Sequence, residues 1–183
     1  MVGSKGSPAE WIRFENNLIR GLQPKWGTAL VFENSVRHIQ LQHNRIMTVR
    51  AGVNVHGVWD QFAIQNNTFS DVIQCISDSQ NSARTSISIL GTLAVQCDSF
   101  APSFALSAEQ TTFAFNKSLA SAEQSSLADI VENISFISTD YASPDFLVPR
   151  VDDQLKMTRS PLYVGALAPW ATPADSPPAT ATP

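Results

Sequence analysis

The side chains that most often do chemistry in proteins are few in this sequence, and they do not form a recognisable catalytic or metal-binding spacing. The three histidines, His38, His43 and His56, are not spaced as metal ligands on one element. Acid–base cleavage of a glycoside needs two carboxyl groups about 5–9.5 Å apart, and the only adjacent acidic pair is Asp152–Asp153. No glycine-rich phosphate loop and no Gly-x-Ser-x-Gly motif occur. We therefore expect no metal site and no cofactor, and enzymatic activity stays open.

The composition is that of a mildly acidic chain rich in neutral polar residues. Hydrophobic residues make up 43% of the 183 residues and charged residues only 15%, which favours β-structure over helices with charged outer faces. A net charge of −4 argues against nucleic acid as the main partner. No apolar run is long enough for a membrane span. For Cys75 and Cys97, a disulfide and two buried thiols both remain open.

A six-residue pattern repeats along the chain: apolar, polar, any, Asn or Asp, any, apolar. The clear copies occupy residues 14–19, 41–46, 64–69 and 95–100. They place one Asn or Asp in the same register of each copy, at Asn17, Asn44, Asn67 and Asp98. Short runs of alternating apolar residues precede these positions, and alternation indicates strands with one buried face. Because Asn tolerates left-handed backbone angles, it suits a tight corner between two strands.

Spacings of 27, 23 and 31 residues between these positions predict a coil of strand rungs. Successive rungs would lie about 4.8 Å apart, the normal distance between strands. Equivalent side chains would then stack, and the corner residues would form a ladder of amide hydrogen bonds. The predicted fold class is therefore all-β.

This arrangement resembles the right-handed parallel β-helix of the pectin-lyase-like superfamily over about residues 12–138, and residues 160–169 are similar to the closing stretch of many secreted members. The resemblance implies a solenoid of about five to six rungs. A β-sandwich, which also uses short strands and Asn turns, is the alternative. The expected segments are a disordered start or truncated end (1–10), rungs (11–138), a C-terminal cap (139–170) and a disordered Pro/Ala/Thr-rich tail (171–183).

Equivalent positions on neighbouring rungs would form an outer face of polar and charged residues. The predicted binding residues on this face are Glu33, Arg37, Gln42, His56, Asp60 and Gln65. In this arrangement Glu33 stands beside His56 and Arg37 beside Asp60. One interpretation is a surface that hydrogen-bonds a glycan. The other, more frequent case is a set of exposed ion pairs, each contributing under about 1 kcal/mol.

The resemblance implies a β-helix module of a secreted or cell-surface protein that binds polysaccharide along its outer face. Lyases and hydrolases of the superfamily act through carboxylates, or through Arg or Lys with a bound cation, and no such constellation is evident on these rungs. A truncated polysaccharide lyase or glycoside hydrolase is one alternative function. The other is a structural spacer or a phage or surface appendage. The oligomeric state stays open.

Overall fold

The computed structural model is a parallel β-solenoid, in which every strand pairing among the described residues is parallel. The described residues are 9–21, 26–34, 36–78, 84–100, 111–114, 117–119, 129–131, 136–140, 142–143, 145–146, 148 and 150. They wind through about three turns. The prediction of an all-β parallel solenoid is therefore confirmed.

The described residues form thirteen strands: β1 (Ala9–Glu10), β2 (Arg13–Glu15), β3 (Leu18–Arg20), β4 (Thr28–Glu33), β5 (Val36–Gln42), β6 (Arg45–His56), β7 (Trp59–Gln65), β8 (Thr68–Asp78), β9 (Arg84–Leu90), β10 (Leu93–Val95), β11 (Thr111–Ala114), β12 (Lys117–Leu119) and β13 (Asp129–Val131). The front sheet has the spatial order β1-β5-β7-β9-β11, and β2 also pairs with β5. The back sheet has the order β13-β12-β10-β8-β6-β3, and β4 also pairs with β6. The long strands β6 and β8 each bend at a left-handed residue, Thr48 (φ 54°) and Asp71 (φ 56°).

The core consists of apolar side chains stacked over their equivalents in the next turn. Ile39 pairs with Phe62, and Phe62 pairs with Ile87; all three side chains are buried. Phe62 also packs edge-on against Phe32, with ring centroids 5.3 Å apart. Burying one such side chain contributes about 1.5–3 kcal/mol, so the columns inside the coil supply the main driving force for folding. Trp59 also belongs to this core, where it is fully buried.

Asparagine amides form a ladder at the corner between the two sheets. Asn17 donates to Asn44 Oδ1 from its backbone nitrogen (3.1 Å) and from Nδ2 (3.0 Å). Asn44 donates to Asn67 Oδ1 in the same way, at 2.9 and 3.0 Å. The Nδ2 atoms of Asn44 and Asn67 also donate to backbone carbonyl groups of the preceding turn, those of Phe14 and Leu41. Each buried amide thus ties two turns together, and its polar atoms are satisfied.

The predicted ladder position of Asp98 is wrong. Leu93 pairs with Thr68, so the residue above Asn67 is Thr92, whose hydroxyl donates to the Leu90 carbonyl at 3.4 Å. The backbone nitrogen of Asp98 donates to the Val72 carbonyl, which places Asp98 several positions beyond the corner. This turn advances by 25 residues rather than 31, because β8 pairs with β10 through the segment before the 95–100 motif. A threonine fits here because its hydroxyl bonds within its own turn.

The left-handed residue at this corner is the one before the ladder Asn, and not the ladder Asn itself as expected. The residues concerned are Asn16 (φ 58°), His43 (54°), Asn66 (51°) and Gly91 (57°). Gly91 is the only one of the four that lacks a Cβ atom, so it adopts this angle without steric cost. The corner therefore needs two adjacent residues, one that tolerates a positive φ and one that bonds to the neighbouring turn.

The outer side of the back sheet is covered by other parts of the chain. Ile46 and Met47 are adjacent in β6 and therefore point to opposite faces, yet both are buried. Near this strand, Asp145 lies close enough to Arg45 to raise its pKa, although burial is the larger effect and lowers that pKa overall. Phe146 and Val148 are also buried. A segment after the rungs thus lies against the back sheet.

Several predicted segments fall outside the described residues. Residues 1–8 and the tail, 171–183, are not among them, whereas Ala9 and Glu10 form β1. The predicted cap, 139–170, is described only in part and only up to residue 150. Within the described ranges, no helix has the length and apolarity needed to cross a bilayer.

The two cysteines are unbonded and buried. Cys97 Sγ lies 3.6 Å from the Phe69 carbonyl oxygen and 3.5 Å from that of Val95. Burial raises the pKa of the Cys75 thiol well above its ordinary value, and a hydrogen bond to Cys97 raises it further. Both sulfur atoms therefore behave as apolar core atoms rather than as nucleophiles.

Replacing Asn44 with Ala should lower the free energy of unfolding by about 2–4 kcal/mol, because it leaves buried partners on both neighbouring turns unsatisfied. Urea unfolding followed by circular dichroism measures this loss. The matched control is Asn17→Ala at the exposed end of the ladder, where only one neighbour is affected and a loss of about 1 kcal/mol or less is expected. Equal losses of unfolding free energy in the two variants would show that the buried amide hydrogen bonds of the ladder do not contribute the expected stability.

In the Cys97→Ala variant, Cys75 should react with iodoacetamide far more slowly in the folded protein than in urea, since burial disfavours the thiolate. Folding raises the pKa of the Cys75 thiol above its ordinary value of 9.0. The contribution of this thiol to the free energy of unfolding is therefore complete below about that pH and is lost as the pH rises beyond it. Mass spectrometry of the alkylated protein measures the rate. Equally fast labelling of the folded and unfolded chains would contradict the buried placement.

Candidate functional site

A groove of about 720 Å³ runs across the strands on the outer side of the front sheet. One wall, here called the bulge column, consists of Trp11, His38, Gln61 and Ser86. The facing wall, called the outer column, consists of Arg13, Gln40, Ala63 and Ser88. The groove lies over the core positions Ile12, Ile39 and Phe62. Its direction is the axis of the solenoid, so a ligand in it would touch residues from four stacked strand positions of the front sheet, β1–β2, β5, β7 and β9.

The bulge column exists because β5, β7 and β9 each carry one extra residue in a left-handed conformation, as does the junction between β1 and β2. The φ angles are 59° at Trp11, 52° at His38, 51° at Gln61 and 55° at Ser86. In β5 the buried side chains are Val36, Ile39 and Leu41, a spacing of three and then two. An extra residue of this kind re-aims side chains, so two consecutive polar residues lie outside the core. The same feature in adjacent turns opens one continuous groove instead of isolated pockets.

An aromatic stack forms the N-terminal end of the groove. The indole ring of Trp11 lies parallel to the imidazole ring of His38, with ring centroids 3.9 Å apart and planes inclined by 7°. Trp11 remains 75% exposed, although its backbone nitrogen donates to the Arg37 carbonyl at 3.2 Å. The stack therefore presents a flat, mostly apolar surface, whereas Ser86 and Ser88 make the opposite end small and hydroxyl-lined.

The backbone of the groove floor is not available to a ligand. Strand β5 is paired on one side with β1 and β2 and on the other with β7, and β7 is paired with β9. The hydrogen-bonding groups of a paired strand are satisfied by its neighbours. Over the core positions of the groove floor, which pair in register, a ligand is consequently recognised by side chains.

Ion pairs lie beside the groove. Arg37 stands between two carboxylates of the neighbouring turns, with its Nε 3.2 Å from Asp60 Oδ2 and its Nη1 3.7 Å from Glu10 Oε1. Arg13 Nη2 lies 2.7 Å from Glu15 Oε2. These side chains are partly exposed, which limits what each pair contributes to stability.

The six residues predicted to form one binding face are divided between two places. Arg37 and Asp60 adjoin the bulge column, and Gln42 lies beyond the outer column and donates to Gln65 Oε1 at 2.9 Å. These four are on the front sheet, on either side of the groove. Glu33 and His56 pair in register on the back sheet instead.

Glu33 and His56 lie side by side as predicted, but the hydrogen-bond contact described for His56 is with another residue. The Nε2 atom of His56 lies 2.9 Å from Asn54 Nδ2, a contact within its own strand. Since Glu33 and His56 belong to the back sheet, the six predicted residues do not form one continuous surface.

Trp11, Arg13, His38, Gln61, Ser86 and Ser88 line the groove and were not predicted from the sequence. The amino-acid sequence nevertheless contains a signal for the groove. Apolar residues at 36, 39 and 41 and again at 59, 62 and 64 break the strict alternation of a strand at the same place in two turns. A repeated break of this kind indicates a bulge, and a stacked bulge indicates a concave strip.

Among the described residues, no three His, Cys, Asp or Glu side chains converge as they would to hold a metal ion. The acidic pair Asp152–Asp153 lies outside the described residues. No protein-family profile, no curated protein and no solved structure matches this chain.

Replacing Arg37 with Met should change the free energy of unfolding by less than about 1 kcal/mol, because its carboxylate partners are partly exposed and solvent screens the pairs. Urea unfolding of this variant beside Asn44→Ala gives a direct comparison of a surface pair with a buried amide. A loss as large as that of the amide variant would mean that the Glu10–Arg37–Asp60 column is a structural support.

Proposed function

We propose that this chain is a polysaccharide-binding module and that an extended glycan lies in the groove across the front sheet. The observation that carries the proposal is the groove itself, with a stacked Trp11–His38 pair at one end and hydrogen-bonding side chains along both walls. The proposal includes a right-handed β-helix of the pectin-lyase-like type and a secreted or cell-surface location, both taken from the sequence resemblance.

The two kinds of side chain in the groove suit the two kinds of surface on a sugar ring. A pyranose has an apolar face of C–H groups, which packs against a flat aromatic ring such as that of Trp11. Its rim carries hydroxyl groups that both donate and accept hydrogen bonds. The amides of Gln40 and Gln61 also donate and accept, so they can bond to a hydroxyl in either orientation.

The spacing of the groove favours a polymer with a repeat. Equivalent side chains recur about every 4.8 Å, the distance between strands, over four stacked strand positions from β1–β2 to β9. A chain of similar rings placed along the axis meets similar side chains at each step. An extended peptide is a poorer fit, because peptides bind sheets mainly by adding a strand to a free edge, and this groove crosses paired strands.

The accessibility of the two sheets also favours the front sheet as the binding surface. Residues at outer positions of the back sheet, such as Met47 and Leu93, are buried, whereas Gln40 and Gln61 on the front sheet are exposed. A long ligand therefore has more accessible side chains to contact along the front sheet.

Replacing Trp11 with Ala should weaken retention by a soluble polysaccharide at least about tenfold, which corresponds to about 1.4 kcal/mol, because the aromatic platform is lost. Affinity electrophoresis in native gels that contain hydroxyethyl cellulose, glucomannan, polygalacturonate or alginate measures retention. Circular dichroism of the variant checks that the coil is intact.

Trp26→Ala is the matched control, since Trp26 is as exposed as Trp11, at 76% against 75%, and does not line the groove. The control variant should be retained like the unmodified protein. Equal retention of the Trp11 and Trp26 variants would remove the groove from the binding surface, and no retention of the unmodified protein in any gel would overturn the proposed function.

A further inference from the structure

We infer that the groove selects uncharged glycans over glycans built from uronic acids. This inference rests on the proposed function and adds the class of ligand. It follows from how the cations around the groove are already engaged and from the chemistry of the side chains that face a ligand.

Recognition of a carboxylate in proteins commonly uses an arginine whose planar fork of N–H groups is free to bind both oxygens. Two arginines at the groove have described ion pairs, Arg13 in the outer column and Arg37 next to the bulge column, and both are engaged by acids of this chain. Arg13 lies 2.7 Å from Glu15, and Arg37 lies between Asp60 at 3.2 Å and Glu10 at 3.7 Å. To bind the N–H groups that these acids now hold, a uronate would have to displace an internal carboxylate.

The described charges around the groove also repel an anion. Three carboxylates, those of Glu10, Glu15 and Asp60, accompany two guanidinium groups, those of Arg13 and Arg37. Over these five side chains the charges sum to −1. A net negative charge within a Debye length, about 10 Å at moderate salt, disfavours binding of a polyanion.

The walls themselves offer groups that match hydroxyls better than carboxylates. Gln40, Gln61, Ser86 and Ser88 line the groove, and each has a side chain that both donates and accepts hydrogen bonds. A sugar hydroxyl does the same, whereas an ionised carboxylate only accepts. An acceptor oxygen of the walls that faces the carboxylate of a uronate, instead of a hydroxyl, would remain unmatched, at a cost in affinity.

The test compares retention of the unmodified protein by a neutral polysaccharide, hydroxyethyl cellulose or glucomannan, with retention by polygalacturonate or alginate. Native gels are run at low ionic strength, with EDTA and separately with calcium. We expect at least tenfold stronger retention by one of the neutral polymers in both conditions. Equal or stronger retention by a uronate polymer in either condition overturns the selectivity and leaves the proposed function standing. Absence of retention by all four polymers overturns the proposed function and this inference with it.

A double variant, Glu15→Gln with Asp60→Asn, examines the mechanism of selection. These changes leave Arg13 without its acidic partner and Arg37 with only Glu10, so retention by polygalacturonate should increase at least fivefold and should weaken as salt is added. Glu33→Gln, which removes one carboxylate from the back sheet where the double variant removes two near the groove, tests the effect of a charge change away from the groove and should leave the ratio unchanged. An unchanged ratio in the double variant, or an equal rise in the control, contradicts selection by these ion pairs.

Discussion

The interaction on which this structure depends is the in-register pairing of each turn with the next. Parallel strands hold equivalent residues about 4.8 Å apart, so a residue type that suits one turn must also suit the turns above and below it. Ile39, Phe62 and Ile87 stack because of this constraint, and so do the amides of Asn17, Asn44 and Asn67. A buried amide in such a column is tolerated because its neighbours satisfy it, whereas a lone buried amide would be costly.

The same constraint makes the surface regular. Left-handed residues recur at the same places in successive turns, at the corner before the ladder and in the middle of the front-sheet strands. A single bulge would re-aim one side chain, but a column of bulges produces a groove that crosses the sheet. The concave surface of this protein is therefore a product of backbone geometry repeated along an axis, and no loop has to build it. Side chains such as Trp11 and Gln61 only decide its chemistry.

Charge and accessibility distinguish the two sheets. The back sheet buries outer residues such as Met47, and Asp145 approaches Arg45 there. The front sheet keeps a partly exposed set of ion pairs at a groove whose walls combine Arg13 with aromatic, amide and hydroxyl side chains. Because Arg13 and Arg37 are engaged by acids of the chain itself, the amides and hydroxyls of the walls are the main hydrogen-bonding groups that a ligand would meet. This arrangement connects the stacked fold to the class of ligand proposed for it.

The sequence by itself determined the local features of this fold. Alternating apolar residues define the strands, and the six-residue pattern with Asn17, Asn44 or Asn67 at its fourth position marks the corners. Both signals depend only on the residue types within a few positions. The tertiary structure decided which residue lies above which. It placed Thr92 rather than Asp98 over Asn67, separated Glu33 and His56 from the other predicted residues, and brought Trp11 onto His38. The register between strands 23 to 27 residues apart is set by the hydrogen bonds and packing of a whole turn taken together. A six-residue pattern covers only part of a turn, so it does not determine that register.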